Sequence, residues 1–90
     1  MEFEWDENKA AANLAKHGIS FKAATRVFFD PMHFSVPDTR HDYGEQRTNT
    51  TGDVNGLIIA TVTHTDRNGT TRIISARHAT RKERKIYHGR

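Results

Sequence analysis

Phe21, Ala24, Val27 and Phe28 fall at the three- and four-residue spacing of one helix face, whereas apolar and polar residues past Glu45 come in strand-length runs. The chain therefore reads as a helical front followed by a β-rich back. Phe3-Glu4-Trp5 is a strand-like entry. Asp6 is placed to cap a first helix with Glu7 in its first turn and an alanine-rich stretch through Leu14 and Ala15. Lys16 and His17 put cations near the negative end of that helix's dipole, and Gly18 can take the positive φ that ends it. Ser20 can cap a second helix, which stops at Asp30-Pro31 because the residue before proline is forced out of the α region. Helices are expected over 6–17 and 21–29, in an antiparallel or V-shaped hairpin that covers, through Phe21, Val27 and Phe28, the sheet face opposite Arg47, His64 and Arg77.

Met32 to Val36 reads as a strand ended by Pro37, and Asp38 to Gly44 as a polar loop. Asn55-Gly56 and Asn68-Gly69 are hairpin signals, since a type I′ turn needs positive φ at both central positions. They divide the region into strands of roughly 45–54, 57–67 and 70–77. Two-residue turns would set Val54 opposite Leu57 and Arg47 opposite His64, then Arg67 opposite Thr70 and His64 opposite Ile73. Alternation would then gather Glu45, Arg47, Asn49, Ile58, Ala60, Val62, His64, Ile73, Ser75 and Arg77 on one face. Val54, Leu57, Ile59, Ile74 and Ala76 would occupy the other, with Arg67 and Arg72 towards one end. Ala79 to Tyr87 is rich in helix formers and reads as a basic C-terminal helix, anchored by Ala79, Ile86 and Tyr87. The order β-α-α-β-β-β-β-α, with helices at both ends of an antiparallel meander, gives an α+β class.

Ninety residues make one small domain, 1–90, and 34% hydrophobic residues with no cysteine allow neither a large core nor a disulfide framework. A partner that buries surface would add stability, because anything binding only the folded state does so. Charge is uneven. Residues 1–70 hold seven Lys/Arg against ten Asp/Glu, a balance of −3, and residues 71–90 hold seven against Glu83 alone, a balance of +6. The basic end suits a polyanion or an acidic partner. No signal-like segment precedes Met1-Glu2-Phe3 and no apolar run approaches a membrane span, so a cytoplasmic chain without membrane contact is expected. The glycosylation sequons at Asn49 and Asn68 are then chance matches.

Six histidines, at positions 17, 33, 41, 64, 78 and 88, invite a metal, but none forms a helical His-x-x-x-His pair and there is no cysteine. Neither a metal nor another cofactor is expected. A Gly-rich phosphate loop, a nucleophile elbow and a Cys/His pair are all missing from the sequence. What remains around the sheet is Glu45, Arg47, His64, Arg67, Arg72, Arg77 and Tyr87. That inventory suits RNA cleavage without a metal. The 2′-hydroxyl attacks its own phosphate, histidine or glutamate moves the protons, and guanidinium forks fit the phosphate oxygens. Plainer readings exist: Glu45 and Arg47 as a cross-strand ion pair, His64 as a satisfied sheet-edge residue, Arg77 as an anchor.

The run Phe3-x-Trp5-Asp6-x-x-Lys9, Asn13, Lys16-His17-Gly18-Ile19-Ser20-Phe21, Ala24, Val27-Phe28 and Asp30-Pro31 resembles the N-terminal signature of BrnT-type toxins. Glu45-x-Arg47, Gly52, His64-Thr65-x-Arg67, Arg72-Ile73-Ile74-Ser75-Ala76-Arg77-x-Ala79, Arg81, Glu83-Arg84 and Tyr87 continue the resemblance in order. It implies a RelE-like fold and inhibition of translation by RNA cleavage. It also implies a ribbon–helix–helix antitoxin, operator DNA bound only through the toxin–antitoxin complex, and a 2:2 heterotetramer as the assembly. Catalysis is expected from His64, Arg67, Arg77, Arg47 and Glu45. RNA contacts are expected from Lys9, Lys16, His17, Arg72, Arg81, Arg84, Lys85 and Tyr87. Trp5, Phe21, Phe28, Ile73 and Ile74 read as core and Asn13 as a buried hydrogen-bonder. The competing reading is a non-catalytic nucleic-acid- or partner-binding module on the same scaffold. Strands without aromatic residues between 45 and 77 argue against an RRM-like binder, and the lack of a helix-turn-helix pattern against a DNA reader.

Overall fold

The structure is a computed structural model, described over residues 1–40 and 44–89. The expected polar loop 38–44 therefore falls partly outside the described residues. β1 (Glu2–Glu4) leads into α1 (Glu7–His17), α2 (Phe21–Ala24) and a 3-10 helix (Thr25–Phe29). β2 (Phe34–Asp38), β3 (Arg47–Val54), β4 (Ile58–Arg67) and β5 (Thr70–His78) follow, and α3 (Arg81–His88) closes the order. The five strands form one sheet in the order β1-β5-β4-β3-β2. β2 to β5 are the antiparallel meander, while β1 pairs parallel with β5, so the sheet is mixed.

The helix caps act as their residue types require. The Asp6 carboxylate accepts from the Asn8 and Lys9 backbone N–H groups, and Gly18 ends α1 at φ 74°. Ser20 accepts from the Ala23 N–H at the start of α2. Thr80 and Glu83 form a reciprocal capping box on α3. Asn13 is buried, and its amide replaces a missing strand neighbour: Nδ2 donates to the Ala76 and Ile19 carbonyls, and Oδ1 accepts from the Ala76 N–H. β1 reaches only as far as Arg72 along β5, so this side chain satisfies backbone groups on the edge that β1 leaves open.

The first hairpin overturns the expected pairing. Asn55 and Gly56 do have positive φ, and the Leu57 N–H donates to the Val54 carbonyl, which closes a type I′ turn. Yet Val54 pairs with Ile58, leaving Leu57 as an extra residue that is 83% exposed. Every pair along β3 and β4 moves by one, so Thr48, not Arg47, lies opposite His64. The second turn keeps its expected register, Arg67 with Thr70 and His64 with Ile73, but a bulge at Ile74 then shifts the rest.

Both irregularities serve the core. They bring Val54, Ala60, Val62, Ile73 and Ala76 onto one face, where they join Ile19, Phe21, Ala24 and Val27 from the helical front. Without them, Val54 and Ala76 would face away from Val62. We call this the inner face. Trp5 meets Phe21 edge-on and Phe3 packs on Phe28, closing the side of β1. Gly52 is where the 3-10 helix comes closest to β3: a Cβ there would lie 3.0 Å from the Val27 carbonyl oxygen.

Candidate active site

The outer face of the sheet carries four arginines, Arg47, Arg67, Arg72 and Arg77. Strand pairing places Phe34, Thr51, Thr61 and Arg77 on one rung, and Val36, Asn49, Thr63 and Ser75 on the next. The third rung runs from Asp38 and Arg47 past Thr65 and Arg72 to Glu4, spanning the sheet. Arg67, two residues beyond Thr65, shares this face. Between the arginines, hydroxyls of β4 are oriented by donating towards neighbouring elements. Thr61 donates to Glu83, Thr63 to Asn49 Oδ1 and Thr65 to the Gln46 carbonyl.

Glu45 joins two of these arginines. Its Oε1 accepts from Arg47 Nη2 at 3.4 Å and its Oε2 from Arg67 Nη2 at 3.2 Å. The Glu45 side chain is 26% exposed and that of Arg47 is 20%, whereas Arg67 is 48% exposed, so the cluster is half-buried and open to solvent on the Arg67 side. Arg72 is held at 2.8 Å by Glu4.

Arg77 forms a second centre, with more hydrogen bonds on its carboxylate. Its Nη1 and Nη2 make a fork onto Glu83 at 2.7 and 3.1 Å. The Thr61 hydroxyl and the Thr80 N–H also donate to Glu83. Burial alone would raise the Glu83 pKa. The Arg77 hydrogen bond and charge, with the Thr80 and Thr61 donors, outweigh it and bring the value from 4.5 down to about 2. Because the Thr61 proton goes to Glu83, Thr51 donates to Thr61 across a 2.7 Å hydrogen bond. α3 thus sits on the outer face through polar contacts.

His64 is elsewhere. The expectation that it stands beside Arg47, with Arg77 on the same face, is corrected by the one-residue shift: Arg47 and Arg77 share the outer face and His64 belongs to the inner one. There its Nε2 shares a 2.7 Å hydrogen bond with Thr50 Oγ1, and its ring meets Phe28 edge-on at 4.8 Å. Burial lowers its pKa from 6.5.

The expected RNA contacts scatter too. Lys9, Lys16 and His17 ride on α1, which packs against β5 from the inner side. Arg81, Arg84, Lys85 and Tyr87 are on α3. Arg84 donates to the Ala79 carbonyl, and the Tyr87 hydroxyl donates to Asp30 Oδ2 in a short hydrogen bond. Asp30 also accepts from the Asp53 and Met32 N–H groups; burial would raise its pKa, but these donors, Tyr87 and the nearby His33 bring it below 3.8. The structure therefore brings Glu45, Arg47 and Arg67 together, adds Arg72 and Arg77 on the same face, and leaves His64 and the α1 cations behind the sheet. The residues that sequence reasoning missed are Glu83, Thr61 and Asp30. Glu83 had a readable signal in the Thr80-x-x-Glu83 spacing of a capping box. Among the described residues no group of three or more His, Asp or Glu side chains is arranged to hold a metal ion. No described helix is long and apolar enough to cross a membrane.

A family model described as the ribonuclease toxin, BrnT, of type II toxin–antitoxin systems matches residues 5–83. The crystal structure of the Brucella abortus ribonuclease toxin, BrnT, is similar to this chain at 30% identity and a TM-score of 0.72, covering 90% of this chain and 99% of that one. No curated protein matches. The matched span contains Glu45, Arg47, Arg67, Arg72 and Arg77 and ends at Glu83, so β2 to β5 and the start of α3 lie inside it.

Proposed function

The chain belongs to the BrnT family of ribonuclease toxins from type II toxin–antitoxin systems, and we propose that its outer face cleaves RNA without a divalent metal, by attack of the substrate's 2′-hydroxyl on the adjacent phosphorus. The observation that carries this reading is the Glu45 carboxylate held between the Arg47 and Arg67 guanidinium groups. A phosphodiester entering this cluster meets two planar cations suited to its non-bridging oxygens. Glu45, displaced from them by the phosphate, takes the 2′-hydroxyl proton. The new 2′-O–P bond forms as the P–O5′ bond breaks, and the 5′-oxygen takes a proton from solvent. The products are a 2′,3′-cyclic phosphate and a 5′-hydroxyl. Arg72 and Arg77, ion-paired with Glu4 and Glu83, flank the cluster on the same face, and Arg81, Arg84 and Lys85 add positive charge on α3 for the rest of the strand.

In this reading His64 braces Phe28 and Thr50 and takes no part in the proton transfers. Membership of a type II family brings a protein antitoxin as partner. We infer further that the antitoxin is of the ribbon–helix–helix kind, that a 2:2 complex with it binds operator DNA, and that RNA cleavage in the cytoplasm halts translation on a RelE-like scaffold. The test is incubation of antitoxin-free protein with RNA in EDTA, with mapping of the new ends. Cleavage leaving cyclic phosphates supports the reading. Loss of all cleavage in EDTA, restored by magnesium, overturns it. Binding without cleavage in either buffer would favour the non-catalytic module.

A further inference from the structure

We propose that the cavity between α3 and the β2 edge of the outer face is a subsite for one nucleobase of the RNA strand, seated beside the phosphate that the arginines hold. The inference rests on the RNA-directed reading of the same face. The cavity measures about 300 Å³, at the small end of ligand pockets, which run to roughly 1,000 Å³. A single heterocycle suits it better than a whole nucleotide.

Its lining joins apolar side chains to polar and charged ones. Phe34, Val36 and Ile86 line the sides, with Asn49 below and Lys82 and Glu83 along α3. Register explains why these residues meet. Phe34 stands beside Thr51 and Val36 beside Asn49, on the rungs that also carry Arg77 and Ser75. A base in the cavity would therefore lie next to the arginine track.

Asn49 points to a ligand with an acceptor. Its Oδ1 takes the Thr63 hydroxyl proton at 2.7 Å, which fixes the orientation of the amide. Nδ2 then has two protons to donate, and no acceptor reaches it among the described residues. Every nucleobase presents a carbonyl oxygen or ring nitrogen that can accept there. Single-stranded RNA is read in this way, with an unstacked base between apolar or aromatic side chains and its edge on a polar group. Lys82, on the same side of α3, has no acidic partner among the described residues. Its ammonium group would face the strand's phosphates. Glu83 does not oppose this, because Arg77 neutralises it. The competing occupant is a peptide side chain of the antitoxin. It would fill the apolar walls without requiring either the amide donor or the surrounding cations.

The full-length chain is titrated with 2′-O-methyl RNA tetranucleotides, which cannot be cleaved, while the Asn49 side-chain amide and the Ile86 methyl signals are followed by NMR. Each position of the oligonucleotide is then made abasic in turn. The subsite predicts that the intact oligonucleotide shifts both signals. One abasic position should abolish those shifts and weaken binding on the order of tenfold, as expected for loss of one stacked base. Asn49→Ala, and independently Ile86→Trp, which fills the cavity without touching the Asn49–Thr63 bond, should make intact and abasic oligonucleotides bind alike. The proposal is overturned if the oligonucleotide binds through the arginines while both signals stay fixed. It is also overturned if no abasic position matters, or if only the antitoxin moves the signals. Base-dependent shifts in a protein that never cleaves RNA would sink the ribonuclease reading and leave the subsite standing.

Discussion

The two faces of one strand, β4, are built from opposite physics. Ala60 and Val62 point inward and are fully covered by the helical front. Thr61, Thr63 and Thr65 point outward and are also buried, at 1%, 8% and 5% exposure, but each hydroxyl has a directed partner. The inner face gains from removing apolar area from water, a force without direction that tolerates changes of shape. The outer face gains from hydrogen bonds and ion pairs, whose loss leaves a buried partner unsatisfied. α3 sharpens the contrast: it has no buried residue, meets the outer face through Glu83 and is tied through Tyr87 to Asp30, just past the 3-10 helix. Apolar burial is therefore concentrated on one side of the sheet and directed polar contacts on the other, where the proposed chemistry lies.

The largest expected effect breaks the inner side. Phe21 is 1% exposed at the centre of the core. Phe21→Ala should cost about 3–5 kcal/mol, a large part of the roughly 5–15 kcal/mol that holds a domain together. Urea unfolding should show a lower midpoint, and RNA binding should fall with the folded fraction. A midpoint unchanged from the wild type would mean that the core is not where the structure puts it.

Next in size is the outer side, where the fold should survive and the rate should not. Glu45→Gln keeps the shape and hydrogen-bonding capacity of the side chain while removing the base. Cleavage should slow by ~10²–10⁴-fold, the usual contribution of a general base, with little change in the urea midpoint. If the glutamine variant cleaves at the wild-type rate, Glu45 only spaces Arg47 from Arg67. A matching fall in stability would make it a structural ion pair.

How far this contrast was legible in the sequence differs between the two sides. Caps, turns and apolar spacing are local, so Asp6, Ser20, Gly18, both Asn-Gly pairs and the Asp30-Pro31 stop mark the elements well. The Asn13 side chain was recognisable as a buried polar group, though not its partner Ala76, which is distant in sequence. What a local reading could not settle was the single extra residue at Leu57. Both pairings satisfy the Asn-Gly turn, and only the joint burial of Val54 with Ala60 and Val62 selects between them. That residue decides which side of the sheet His64 occupies, so three of the expected catalytic residues came together while a fourth went to the other face. The alternating Thr61, Thr63 and Thr65 were visible as letters but carried no meaning until Glu83, Asn49 and Gln46 stood opposite them.

A smaller effect should appear on acidification. The Glu83 pKa is about 2 in the fold against 4.5 for an unperturbed glutamate. Since the folded value is the lower one, the stabilisation is complete above pH 4.5 and is lost as pH falls from there towards 2. Solvent screening at a partly exposed pair limits this to on the order of 1 kcal/mol. In Glu83→Gln the acid limb between these values should flatten, and α3 signals should lose their pH dependence. An acid limb identical to that of the wild type would place the titrating group elsewhere.

The smallest effect on catalysis should be at His64, and it sharpens the comparison most. A histidine is the usual choice for proton transfer near neutral pH, and residue type alone makes His64 the natural candidate. Its position argues otherwise. The ring lies under Phe28 with Nε2 engaged by Thr50, on the opposite side of the sheet from Arg47 and Arg77. Reaching a phosphate on the outer face would require passing through the strands. Burial lowers its pKa from 6.5, so the folded state favours neutral imidazole. The linked stability is complete above 6.5 and is lost as pH falls through that value towards the lower folded one. His64→Gln, which retains a hydrogen-bonding group for Thr50, should therefore flatten the stability profile just below neutrality. Its cleavage rate per folded molecule should stay within about twofold of the wild type, well short of the ~10²-fold minimum for a lost proton carrier. A drop of that size at constant stability, together with loss of a limb in the pH–rate profile, would return His64 to the mechanism and remove the separation of chemistry from core.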